Sequence, residues 1–93
     1  MTDKVNMRIT EVTVGSNDNP YDTRAITVSW RGDEDYCVKQ GIRVWCERRK
    51  RWEAEPIPSG RTDAFIARTR YPFVQARDIA VRLMGKQLNE AAP

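Results

Sequence analysis

The chain has 93 residues, 40% of them hydrophobic and 31% charged, with no histidine and a net charge of +3. This is the balance of one small globular domain and not of a disordered chain, with an expected stability of ~5–10 kcal/mol. The missing histidine removes the commonest general base and metal ligand, and no apolar run approaches the ~18 residues needed to span a bilayer.

Residues 7–14 are rich in β-formers. Met7 and Ile9 share one parity and Val12 and Val14 the other, so a strand here needs a bulge near Glu11. Gly15-Ser16-Asn17-Asp18-Asn19-Pro20 is a loop signal. Residues 24–30 form the clearest strand, with Ile26, Val28 and Trp30 on one side and Ala25, Thr27 and Ser29 on the other. Residues 31–35 turn the chain, residues 36–39 resume a strand, and Gly41 marks a bulge or second turn before a strand at 42–47.

Arg48-Arg49-Lys50-Arg51 then lies between Trp45 and Trp52, with alternating apolar and polar residues on both sides. The pattern predicts a β-hairpin over 42–55 with a cationic tip and aromatic side chains at its base. Pro56-Ile57-Pro58-Ser59-Gly60 breaks the chain. Residues 64–70 alternate as a last strand, with a short helix from Thr62 as the competing assignment. Pro72 opens a helix whose Phe73, Ala76, Ala80, Leu83 and Met84 recur at helical spacing, widened by Val74, Ile79, Val81 and Leu88. It is expected to stop near residues 85–89. The sum is an α+β fold, an antiparallel sheet of four to five strands packed on one face by one C-terminal helix. Residues 1–93 make a single domain, with an acidic N-terminal hairpin at 7–40 and a basic three-strand-plus-helix unit at 41–88.

Charge is unevenly spread. Residues 1–38 hold four cations and seven acids, a balance of −3, and residues 39–93 hold twelve cations and six acids, a balance of +6. Such asymmetry favours polyanions or acidic proteins as partners, against the plainer reading of a solvated surface. Cys37 and Cys46 are too widely spaced for a Cys-x-x-Cys metal pair and have no histidine to complete a site; two free thiols are expected, with a disulfide as the alternative if residues 36–46 fold back as a tight hairpin. Asp33-Glu34-Asp35 reads as a polar turn, and no phosphate-cradling glycine loop exists. No enzyme, cofactor or metal is expected. With no apolar stretch behind Met1-Thr2-Asp3-Lys4, the expected compartment is cytoplasmic.

Gly41-Ile42-Arg43, residues 50–55, residues 65–71 and Ala76-Arg77-Asp78-Ile79-Ala80 together resemble the AP2-type DNA-binding fold and the related arm-binding domains of phage integrases. The resemblance covers roughly residues 41–82. It implies a three-stranded sheet backed by one helix, with Arg43, Arg51 and Trp52 facing the DNA major groove. It lacks the family's glycine in the last strand and its acidic helix start, and the two N-terminal strands are extra.

The expectation is therefore a small non-enzymatic nucleic-acid-binding protein, of a phage or other mobile element. Its surface would comprise Arg43, Arg48, Arg49, Lys50, Arg51, Trp52, Arg68 and Arg70. The alternative is a small phage-type protein that binds and inhibits a host or defence protein through the same basic surface. Val74, Val81 and Leu88 offer a homodimer face, so either a monomer or a homodimer is compatible.

Overall fold

A computed structural model describes residues 7–15 and 24–91. Its sheet has five strands in the order β1-β2-β3-β4-β5, all antiparallel: β1 Glu11–Val14, β2 Ile26–Gly32, β3 Asp35–Gln40, β4 Arg43–Cys46 and β5 Arg51–Ala54. A single 3₁₀ turn, Pro58–Gly60, leads to α1 (Asp63–Thr69), and α2 (Phe73–Ala91) closes the chain. The α+β class and the C-terminal helix are as the sequence pattern predicts. The loop expected over 15–20 lies, apart from Gly15, outside the described residues.

The alternation of β2 sends Ile26 and Val28 inward, where both are fully buried. With Tyr36, Val38 and Trp45 they meet Ala76, Ile79, Ala80, Leu83 and Met84 of α2, which forms the main core. Full burial of each large aliphatic side chain contributes about 1.5–3 kcal/mol, so this face supplies most of the stability. Trp30 stays at the rim, with the Arg8 guanidinium 4.6 Å from its ring centre.

Four expectations need correction. The segment at 64–70 is not a strand but the helix α1. Thr62 caps it, its Oγ1 accepting from the Phe65 amide at 3.1 Å, with Asp63 in the first turn. The inward pair Phe65 and Thr69 is spaced i,i+4, and the Thr69 hydroxyl closes the turn on the Phe65 carbonyl at 2.7 Å. The sheet consequently has a helix on each face and not on one. Phe65 packs on Cys37 and Val44, which alternate with the α2-facing Tyr36, Val38 and Trp45.

The bulge is not at Glu11. β1 pairs with β2 in unbroken register from Glu11↔Ser29 to Val14↔Ile26. Residues 7–10 lie outside the strand, which removes the parity conflict, and the Thr10 carbonyl accepts from the Trp30 amide at 2.8 Å. The register shift falls instead between Trp30 and Gly32 of β2. Finally, α2 runs past Gly85 to Ala91, because one exposed glycine costs only about 1 kcal/mol against the packing of the preceding turns.

β3 and β4 pair at only two positions, Lys39↔Val44 and Gln40↔Arg43, beside the tight Gly41-Ile42 turn where Gly41 has φ 61°. Continuing that register would set Tyr36 opposite Glu47. Tyr71, from the α1–α2 junction, sits there instead and pairs with Tyr36 as an isolated antiparallel bridge. Its hydroxyl accepts from the Glu47 amide at 2.8 Å and lies 3.0 Å from the Trp45 carbonyl and 3.1 Å from that of Arg68. The junction thus fills a seam in the sheet and lets α1 and α2 occupy opposite faces.

Candidate functional site

The β4–β5 hairpin forms as its sequence pattern predicts. Trp45↔Trp52 and Cys46↔Arg51 pair across it, and residues 47–50 make the tip. Lys50 takes φ 54°, a left-handed conformation unusual for a side chain of its size. Trp45 and Trp52 meet edge to face at 5.3 Å, with Trp45 buried and Trp52 half-buried.

Two carboxylates organise the cations. Glu47 takes both terminal nitrogens of Arg82, one at 2.8 Å, the Trp45 indole N–H at 2.8 Å and Lys50 Nζ at 3.0 Å. The Arg82 hydrogen bonds, opposed by partial burial and helped by Trp45 and Lys50, hold its carboxyl at about 2, well below the ordinary 4.5. Glu53 accepts from Arg68 Nε and Nη2 at 3.0 and 3.1 Å and also lies 3.4 Å from Arg49 and 3.6 Å from Arg51. The Arg68 hydrogen bonds chiefly depress its carboxyl. No acidic partner faces Arg43 or Arg48 among the described residues.

The expected binding residues divide into three groups. Arg43 shares the α2-side face of β4 with Trp45. There, with Lys50, Arg51, Trp52 and Lys86, it lines an open groove of about 440 Å³. Arg48 and Arg49 project from the tip towards α1. Arg68 and Arg70 are structural ties on the α1 face. Arg70 is only 7% exposed and donates to Glu55 at 2.9 Å. Arg31 reaches the same carboxylate at 3.1 Å and Arg61 at 3.6 Å. Burial pushes the Glu55 carboxyl up, and the guanidinium groups of Arg31 and Arg70 outweigh it and bring it below the ordinary value. These eight residues therefore do not share one face.

Val74, Val81 and Leu88 stand exposed along α2, opposite its buried stripe. Cys37 and Cys46 are free and fully buried, and burial raises the Cys37 thiol. Among the described residues no cluster of three metal-ligating side chains forms, and no helix is long and apolar enough to cross a membrane.

The sequence pattern alone did not single out Glu47, Glu53 and Arg82. Glu47 and Glu53 flank the cationic run, a visible signal. Arg82 lies 35 residues away, and only the packing of α2 brings it to the tip. No protein-family model, curated protein or solved structure matches this chain.

Proposed function

We propose that this protein is a non-enzymatic nucleic-acid-binding module that works through the tip and outer edge of the β4–β5 hairpin. One observation carries the reading. Arg49, Lys50, Arg51, Arg68 and Arg82 cluster around two carboxylates, Glu47 and Glu53, and Arg43 and Arg48 line the adjoining concavities with no acidic partner among the described residues. Both carboxylates are already occupied, so the hairpin carries a surplus of positive charge that a chain of phosphates would neutralise. Helices pack on both faces of the sheet, which leaves tip and edge cations accessible and favours phosphate contacts over base-edge readout. Trp52, half-buried in the groove, offers an aromatic side chain to an unpaired base.

The test is a fluorescence titration of single-stranded and duplex DNA and RNA at several salt concentrations. Binding with a log–log salt slope of about −0.7 to −0.9 per phosphate contact is expected, with Arg48→Ala and Lys50→Ala each lowering that slope. Absence of binding at low salt, or a slope unchanged in both variants, refutes the reading.

The second reading is a protein-binding module that inhibits a host or defence factor. The exposed stripe Val74, Val81 and Leu88 favours it, since apolar side chains in register on one helix face suit a protein partner. A stoichiometric protein retained from nuclease-treated lysate, and lost in Val81→Asp, would support this reading over the first.

A further inference from the structure

A second concavity lies on the other side of the hairpin tip, between it and the α1–α2 junction. It is an open cleft of about 520 Å³ lined by Glu47, Arg48, Arg49, Ala64, Ala67, Arg68, Tyr71 and Gln75. From this we infer that the cleft binds a phosphate monoester carried on a group of nucleotide size. The inference goes beyond the polyanion reading, which concerns the tip and outer edge.

Charge selects the ligand class. Three guanidinium groups reach the cleft: Arg48 with no acidic partner among the described residues, Arg49 at 3.4 Å from Glu53, and Arg68 held by Nε and Nη2. Arg68 makes no described hydrogen bond through Nη1. The Glu47 carboxylate at the wall is engaged by Arg82 and Lys50. Against the one shared carboxylate of Glu53, three guanidiniums leave an excess of two positive charges, which suits a dianion. A phosphate monoester carries about −1.5 to −2 at neutral pH, and the fork of a guanidinium matches its oxygens.

Two further features agree. Tyr71 and Gln75 bring the start of α2 to the cleft wall, and this first turn holds no acidic residue to neutralise the positive end of the helix dipole. Ala64 and Ala67 supply small side chains where α1 faces the tip. They leave a volume in the range of ligand pockets, ample for more than the phosphate alone.

The experiment titrates the protein with adenosine 5′-monophosphate and with adenosine at fixed ionic strength, read by ¹⁵N NMR of the arginine Nε and backbone signals. The monophosphate should saturate, shifting Arg48, Arg49, Arg68 and Gln75, while adenosine should not. Arg48→Gln should weaken binding about tenfold and Ala67→Glu should abolish it, the second by placing a carboxylate in the cleft. Both positions are exposed, so both variants should fold.

A matched pair of oligonucleotides, with and without a 5′-phosphate, separates the sources of the ligand. Tighter binding of the phosphorylated strand assigns a strand end, and equal binding beside a saturating monophosphate assigns a free nucleotide. The proposal is overturned by shifts that sodium chloride reproduces, by equal responses to adenosine and its monophosphate, or by affinity unchanged in both variants. Failure of the salt-dependence test leaves the monophosphate titration standing, so the two ideas fail separately.

Discussion

Tyr71 and Tyr36 exchange both backbone hydrogen bonds, each 2.8 Å, across the seam between β3 and β4. The Tyr71 hydroxyl then reaches Trp45, Glu47 and Arg68, so this one residue ties β3, β4, the hairpin tip and α1 together. Tyr71→Phe keeps the ring and deletes those contacts, leaving the Glu47 amide without its partner in a half-buried place. Stability should fall by about 1–3 kcal/mol. A lower urea midpoint at unchanged slope would confirm this, and a midpoint equal to the parent's would refute it.

The Glu47 carboxyl supplies the pH dependence. Its folded value of about 2 lies below the ordinary 4.5, so the folded state takes up its proton less readily than the unfolded chain. Its contribution is present in full above the unfolded value and disappears as pH falls through about 5 to about 2. Glu53 and Glu55, also depressed, act in the same direction. Urea midpoints measured down to about pH 2 should decline over that window, and Glu47→Gln should flatten part of the decline. An identical profile for the variant would refute the assignment.

Lys50 separates backbone cost from charge. Its φ of 54° strains a lysine but suits glycine. Lys50→Gly should therefore change thermal stability little or raise it by up to about 1 kcal/mol, while weakening polyanion binding. Calorimetry and a salt-dependent titration on the same variant would show the two effects moving in opposite directions. A loss of stability above about 1 kcal/mol would mean that the Glu47–Lys50 pair outweighs the strain.

Arg70 and Arg48 should behave as opposites. Arg70→Ala strips a 7%-exposed partner from Glu55, which keeps Arg31 and Arg61. The expected cost is about 1–3 kcal/mol, less than for a buried pair with no other cation nearby. Arg48→Ala touches no ion pair among the described residues and should stay within about 0.5 kcal/mol of the parent. Thermal melts of the two variants would check the contrast.

Which elements were legible in the sequence follows from how local their causes are. Ile26 and Val28 alternate within one strand, and Ala76, Ala80 and Leu83 recur within one helix, so short-range periodicity was enough. Residues 64–70 satisfied two periods at once. Phe65 and Thr69 are both two steps apart twice and one helical turn apart, and only the Thr62-Asp63 start, a cap followed by an acid, decides for the helix. The hairpin and its cationic tip were visible for the same local reason. What Arg68 and Arg70 do was not, because their roles depend on α1 being a helix laid over β4. The Glu47–Arg82 pair depends on two surfaces meeting across 35 residues of chain. No period encodes that.

The seam at Tyr71 also constrains the order of assembly. All five strands are synthesised before the residue that joins the third to the fourth. A nascent chain that has exposed β1 to β5 holds every strand but cannot complete the sheet, because two paired positions and an unfilled gap are all that connect its halves. The α1–α2 junction fills that gap through Tyr71 and sets one helix on each side of the sheet. The N-terminal meander and the basic hairpin thus share only two paired positions directly and depend on Tyr71 for the rest of their connection.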